Sequence, residues 1–373
     1  MDSTEDLAAD LSAHILRGSL DNFEPLALRV FAYQYANNAP YRRFCDGRKQ
    51  TPETVTQWEN IPPAPAAAFK RFALSCADPA LCTPEHGGRT FHSSGTTGSE
   101  TSKHYMDAAT LQLYSLSTQT SYNHFVNADE DFGSIAALMP FTNDAPHSSL
   151  SFMLSVLQSE YDGTHFWEED WSKLFTQCYS EYAKMDSWQN APKQIFGTAF
   201  AWVQLFDYMA EQNIALTLLP GARIVETGGF KGRSREVERG ELYQMFTERL
   251  GVPASHCVAE YGMSEMASQF YDTTYRDHVT GIVREPRKTG LPHLVRTRVM
   301  DPVTGQEARL GEPGILAHYD VCNLNSCLAI QTEDYGYAHP DGEGFVLLGR
   351  APGAILRGCS LTAEEFAARQ QNR

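Results

Sequence analysis

Leu7, Leu11 and Ile15 recur every four residues through an otherwise polar stretch, the spacing of one helical face. Ser3 stands where an N-cap belongs, and Glu5 and Asp6 fall in the first turn, where the helix dipole favours negative charge. A second helix is predicted from about Pro25, a good first-turn residue, to about Ala36. Leu26, Val30 and Tyr33 form its buried stripe, and Asn37-Asn38 end it. The prolines of Ile61-Pro62-Pro63-Ala64-Pro65 exclude helix interior and make an extended connector. From about His86 the period changes. Short apolar runs at 134–139, 194–196, 223–226 and 257–260 read as buried strands, with amphipathic helices such as 235–250 between them. Alternating β and α elements predict an α/β fold with a mostly parallel, helix-covered sheet. Nearer the C-terminus, 295–300, a turn at 301–305, then 314–319 and 344–348 predict a small antiparallel β region.

Composition narrows the class. At 373 residues the chain has room for two or three domains, or one large α/β unit, and for a sizeable core. Its 30 Lys and Arg against 46 Asp and Glu give a net charge of −16, which excludes a dense basic surface for nucleic acid or anionic membrane. With 42% hydrophobic and 11% aromatic residues the chain is not intrinsically disordered. Asp2, Glu5, Asp6 and Asp10 stand where a secretory signal would carry Lys or Arg, and no apolar run approaches the ~18 residues of a membrane helix. Eight cysteines scattered along so long a chain suit reduced thiols in a cytoplasmic protein.

Two stretches carry candidate chemistry. The run Ser93-Ser94-Gly95-Thr96-Thr97-Gly98, followed by Lys103, consists of small residues whose backbone N–H groups can converge on an anion. Hydroxyls add donors, and Lys103 supplies a point charge for a terminal phosphate. A polar surface loop has the same composition, and the Gly-Lys-Ser/Thr of a Walker loop is missing. The second stretch, Ala259-Glu260-Tyr261-Gly262-Met263-Ser264-Glu265, leaves the end of a predicted strand, where α/β sheets place ligands. Tyr261 offers a flat face for a base, Gly262 allows close approach and Glu265 offers hard oxygens for Mg²⁺. An ordinary strand-to-helix turn, with Glu265 in a first helical turn, fits the same residues.

In this order the two stretches resemble the adenylate-forming superfamily of acyl-CoA synthetases, peptide-synthetase adenylation domains and luciferases. Ser93–Gly98 with Lys103 is similar to its phosphate loop, and Tyr261–Glu265 to its adenine- and magnesium-binding motif. Glu226-Thr227-Gly228-Gly229 resembles the nucleotide-pocket turn and Gly311-Glu312-Pro313-Gly314 the Gly-Glu-x-Gly hairpin. Thr332-Glu333-Asp334 resembles the ribose-binding Asp motif, and Gly349-Arg350 the arginine before the hinge. A narrower likeness lies in the segments 61–70 (IPPAPAAAFK), Leu138-Met139-Pro140 with Ser148-Ser149-Leu150, 226–231 (ETGGFK) and 349–361 (GRAPGAILRGCSL). These resemble the acyl-protein synthetases of the LuxE type, known from the fatty-acid reductase complex of bacterial luminescence.

The resemblance implies ATP and Mg²⁺ as cofactors, with Ser93, Ser94, Gly95, Thr96, Thr97, Gly98, Thr227, Gly228, Gly229, Tyr261, Gly262, Ser264, Asp334 and Arg350 as nucleotide contacts. It implies Lys103, Glu265 (also the metal ligand) and Cys359 as catalytic groups, a carboxylic or fatty acid substrate, and an acyl-CoA-reductase-like or carrier-protein partner. The expected organisation is a helical region 1–85, an adenylation core 86–349 and a tail 350–373. Only 23 residues follow Arg350, fewer than the superfamily's C-terminal lysine domain needs, so that domain is expected to be truncated. A thiol on a flexible tail offers another route for the acyl group, and Arg357 beside Cys359 favours its thiolate. Coenzyme A, a carrier protein or an amine remain open as acceptors, as does a non-catalytic acyl- or nucleotide-binding role. Cys76, Cys82 and His86, and the Cys322–Cys327 pair, lack zinc-site spacing, and His147 and Phe141 mark a possible acyl-pocket loop. The aromatic stretches 114–125 and 196–206 read as core.

Overall fold

The computed structural model describes residues 3–93, 101–160, 165–166, 171, 192–228, 235–352 and 362–370. In chain order the elements are α1 (Thr4–Arg17), α2 (Phe23–Asn37), α3 (Ala39–Gly47), β1 (Ala64–Pro65), β2 (Arg89–His92), β3 (Lys103–Met106) and α4 (Ala108–Phe125). Then come β4 (Ile135–Leu138), α5 (Ser149–Gln158), β5 (His165–Phe166), β6 (Gln194–Thr198), α6 (Ala199–Glu211), β7 (Arg223–Thr227), α7 (Arg239–Leu250), β8 (Cys257–Tyr261) and β9 (Phe270–Asp272). The rest are α8 (Thr274–Thr280), β10 (Lys288–Thr289), β11 (Val295–Met300), β12 (Pro313–Asp320), β13 (Ala329–Ala338), β14 (Phe345–Arg350) and a helix α9 over 362–370. They form two compact units. The first comprises Met1–Ser121, Gly262–Phe270 and Arg287–Arg373, and the second Tyr122–Tyr261 and Tyr271–Pro286.

In the first unit the helices start where the pattern places them. The Ser3 hydroxyl accepts the Asp6 N–H at 3.1 Å to cap α1, and Leu7, Leu11 and Ile15 are buried with His14. The second helix opens at Phe23, two residues before Pro25, and buries Leu26, Val30 and Tyr33. Asn38 does more than end it: its side chain accepts the Tyr41 N–H and so caps α3, which the hydrophobic pattern did not reveal. The proline connector is extended at Ala64–Pro65 and pairs in parallel with Ile330 and Gln331 of β13. Strands β11, β12, β13 and β14 pair successively antiparallel, and β10 adds to β14. The close hairpin pairing explains Gly314, where a Cβ would sit 2.5 Å from the Met300 carbonyl oxygen. Beyond Arg350 the described helix α9 packs on the N-terminal helices. Phe366 of α9 is fully buried, 4.9 Å from the Phe44 ring and 5.5 Å from Phe72, and Glu365 pairs with Arg48 at 2.7 Å.

The second unit holds the predicted parallel sheet. Strand β4 pairs with β5 on one side and β6 on the other, then β7 and β8 follow, all in parallel register. Residues 135–138, 223–227 and 257–261 are buried throughout, which is why they read as continuous runs rather than alternations. Trp202 and Phe206 of α6 pack with Phe246 of α7, the Trp202 and Phe246 rings meeting edge-on at 4.9 Å. Arg223 is a charged residue in a fully buried strand. Its guanidinium donates to the Val126 and Asp131 carbonyls, to Asn127 and to Asp129, so the charge is structural. Among the described residues no helix is long and apolar enough to cross a membrane.

Candidate functional site

The small-residue loop is the connection of a β-hairpin. Strands β2 and β3 pair from Arg89↔Met106 to His92↔Lys103. Ser93 and Ser102 continue the ladder: the Ser93 N–H donates to the Ser102 carbonyl at 3.1 Å, and the Ser102 N–H to the Ser93 hydroxyl at 3.0 Å. Ser94, Gly95, Thr96, Thr97 and Gly98 lie outside the described residues. Lys103 opens β3 with its side chain exposed, while Ser102 and His104, on the opposite face, are buried.

That buried face meets residues 264–265. The Ser102 hydroxyl donates to Glu265 Oε1 at 2.5 Å, and the Glu265 side chain is almost wholly buried. Burial raises the Glu265 pKa, opposed by the Ser102 hydrogen bond, its backbone and the charges of Arg350 and Lys70. His104 places Nδ1 at 2.6 Å from the Ser264 carbonyl oxygen and Nε2 at 2.9 Å from Asn323 Oδ1. Burial pushes His104 down to about 4 against those two contacts. The Asn323 amide in turn donates to the carbonyls of Glu265 (2.9 Å) and Cys327 (2.8 Å), and the Ser264 hydroxyl reaches the His92 carbonyl at 3.4 Å. A few residues on, Asp320 accepts hydrogen bonds from the backbone N–H groups of Ala267, Ser268 and Cys322 and from the Ser268 hydroxyl. The segment 264–268 is therefore fixed by side chains from β3, β12 and the 321–328 loop.

Asp334 and Arg350, from consecutive motifs, are direct partners across β13 and β14. Arg350 Nε lies 3.3 Å from Asp334 and its Nη1 3.2 Å from Glu333, with Arg350 70% exposed. A largely exposed guanidinium thus rests on a largely buried carboxylate.

In the second unit the ends of β7 and β8 carry the other candidates. Thr227 and Glu260 are register neighbours, and the Thr227 hydroxyl donates to the Glu260 carboxylate. Gly228 follows at φ +67°, a conformation that favours glycine, and Gly229 lies outside the described residues. Tyr261 closes β8, buried to 9% exposure. Arg239 bridges Glu226 at 3.4 Å and Asp272, and also donates to the Tyr243 hydroxyl. Carboxylates and a hydroxyl thus collect at the carboxyl ends of adjacent parallel strands, the usual ligand side of such sheets.

Ser102, His104 and Asn323, which surround residues 264–265 in the first unit, were given no role by the motifs. The alternation Ser102, His104, Met106 against Lys103 and Tyr105 held the signal for the first two. Asn323 gave none, because it stands outside every stretch that the sequence marks. His147 is exposed in a turn, and Cys359 lies outside the described residues. Six thiols are described: Cys45, Cys76, Cys82, Cys257, Cys322 and Cys327, all free. Burial raises each of them, Cys82 to about 11 and Cys257 to about 12. Among the described residues no group of three or more His, Cys, Asp or Glu could hold a metal ion, so the cysteines form no zinc site there.

Comparison with known families fits this arrangement. The acyl-protein synthetase (LuxE) family profile matches residues 10–367. The chain belongs to the LuxE acyl-protein synthetase family. Its members are ligases, and this chain is an enzyme of that class. A relative in Vibrio harveyi, a long-chain-fatty-acid–luciferin-component ligase, is 22% identical over 345 residues, covering 90% of this chain and 85% of the relative. An open conformation of 2-hydroxyisobutyryl-CoA ligase, in complex with 2-HIB-AMP and CoA, superposes with a TM-score of 0.62 at 10% identity, covering 87% of this chain and 68% of that one. The thioesterification state of the same ligase gives 0.62 at 11% identity over 93% and 68%. The LuxE chain therefore has the fold of the adenylate-forming ligases.

Proposed function

We propose that this LuxE-family enzyme uses ATP to activate a carboxylic acid of the fatty-acid class as an acyl-adenylate. The acyl group then passes to the enzyme's own Cys359 and on to a reductase-type or carrier-protein partner. The observation that carries the reading is the Ser102–Glu265 contact, which ties the carboxylate of the Tyr261–Glu265 motif to the base of the Ser93–Ser102 loop. The relative in Vibrio harveyi supports the substrate class, since its name is that of a long-chain-fatty-acid ligase.

The donor set suits Mg²⁺. Glu265 offers one hard, buried carboxylate whose Oε1 is taken by Ser102. Mg²⁺ is commonly held by one or two carboxylates, with water and phosphate oxygens completing its shell. When bound, the ion neutralises charge that develops on the phosphates. Backbone amides of Ser93, Ser94, Gly95, Thr96, Thr97 and Gly98 and the Lys103 ammonium hold the phosphates. Thr227, Gly228, Gly229, Tyr261, Gly262 and Ser264 seat the base, and Asp334 with Arg350 takes the ribose. An oxygen of the substrate carboxylate attacks the α-phosphorus and pyrophosphate leaves. The Cys359 thiolate then attacks the acyl carbon, forming a thioester as the bond to AMP breaks.

Two features support Cys359 as acceptor. The six described thiols are all held protonated by burial, which removes them as nucleophiles near neutral pH. The segment containing Cys359 is also anchored at both flanks. Ala351 N–H donates to the Glu333 carbonyl at 2.9 Å, and α9, three residues after Cys359, is docked on α3. The test of the activation step is carboxylate-dependent ATP–pyrophosphate exchange with acids of graded chain length. Exchange that peaks with fatty acids is expected, and none with any acid would favour a binding subunit.

A further inference from the structure

Resting on the reading of Glu265 as the metal carboxylate, we propose that Ser102 is a positioning residue for it. The Ser102 hydroxyl fixes one Glu265 oxygen so that the other is presented to a divalent cation bound with the nucleotide phosphates. The phosphate loop and the metal carboxylate are thereby coupled through a single side chain.

The geometry is specific. Ser102 has no freedom of its own, because its N–H and carbonyl are both engaged by Ser93, at 3.0 and 3.1 Å, where the loop closes. Its hydroxyl points off the buried face of β3 to Glu265 Oε1 at 2.5 Å. The Glu265 main chain is held independently, its carbonyl by Asn323 at 2.9 Å and the Ser264 carbonyl by His104 at 2.6 Å. Backbone support therefore survives loss of the Ser102 hydroxyl, and only the carboxylate is released. With the Ser102 hydroxyl on Oε1, ligation through the other oxygen is favoured, the monodentate mode that suits a small octahedral ion. Partners that orient a ligating carboxylate typically affect metal affinity by about 10- to 100-fold when removed.

The test uses the full chain with Ser102→Ala, Ser102→Thr and Glu265→Gln. Mn²⁺ binding is followed by the electron paramagnetic resonance of free Mn²⁺ in the presence of a non-hydrolysable ATP analogue. Mg²⁺ dependence of ATP–pyrophosphate exchange is followed in parallel. Ser102→Ala is expected to weaken Mn²⁺ binding about tenfold and to raise the Mg²⁺ needed for half-maximal exchange by the same factor. Ser102→Thr, which keeps the hydroxyl, restores both values. Normal Mn²⁺ affinity in Ser102→Ala with weakened affinity in Glu265→Gln overturns the role of Ser102 alone. Unchanged affinity in Glu265→Gln as well overturns the metal reading of Glu265, and the role of Ser102 falls with it. Should Ser102→Ala fail to fold, a Ser102→Thr variant with weakened Mn²⁺ binding would count against the proposal.

Discussion

Glu265 and Asp320 are both buried carboxylates in the first unit, and both have pKa values raised by burial. They act on the same short segment, yet they are built differently. Asp320 receives three backbone N–H groups and one hydroxyl, so both of its oxygens are occupied by donors that belong to the fold. Glu265 receives the Ser102 hydroxyl on one oxygen and a hydrogen bond from its own backbone, fewer donors than Asp320. Burial alone does not mark a functional carboxylate; how many of its lone pairs the fold uses does. Asp320 is a structural anion that shapes the 267–268 turn, whereas Glu265 keeps coordination to spare.

Substitutions at the two positions should therefore fail in opposite ways. Glu265→Gln is expected to lower acid-dependent ATP–pyrophosphate exchange by about 10²–10³-fold, the usual loss for one electrostatic partner of a transition state, with melting temperature nearly unchanged. Asp320→Ala strands several buried donors and is expected to cost on the order of 3 kcal/mol in urea unfolding. The stable fraction should still catalyse exchange. Equal losses of activity and stability at both positions would erase the distinction.

A pH series sharpens it. Asp320 is raised from its ordinary 3.8 to about 6, so the folded state binds this proton more readily than the unfolded chain. The associated stabilisation is complete below about pH 4 and is lost as pH rises through about 6. Relative to Asp320→Asn, wild type should lose stability across that interval when urea midpoints are compared. A constant difference would contradict the burial argument.

The smallest effects are expected at the exposed Asp334–Arg350 pair. Arg350→Ala should change stability by less than about 0.5 kcal/mol, because a solvated ion pair contributes little. If Arg350 meets the ribose, the same change raises the KM for ATP by about tenfold, the equivalent of one charged hydrogen bond. A stability loss without a KM change would place Arg350 with Asp320 as a structural group.

The periodic elements were legible in the sequence for physical reasons. The parallel strands at 135–138, 223–227 and 257–261 are buried on both faces, so their apolar residues fall in short consecutive runs rather than in alternation. Strand β13 was missed because Gln331, Glu333, Asp334 and Tyr335 lie half-buried, and their polar run resembles a loop. Helix α3 was hidden because its signal is a cap, Asn38, which also ends the preceding helix. Motif residues such as Glu265 and Asp334 could be named because the short segments around them resemble family motifs. Ser102, His104 and Asn323 act through partners more than 150 residues away in sequence, which no local pattern records. The docking of α9 on α3 through Phe366 and Phe44 is of the same kind.

The most direct measurement of the account is acyl retention after a single turnover. Wild type and Cys359→Ser are given ATP, Mg²⁺ and radiolabelled fatty acid, then denatured and separated from free label. Wild type should keep label that hydroxylamine releases, while Cys359→Ser keeps none yet exchanges pyrophosphate at the wild-type rate. Label retained by Cys359→Ser would contradict the proposed route.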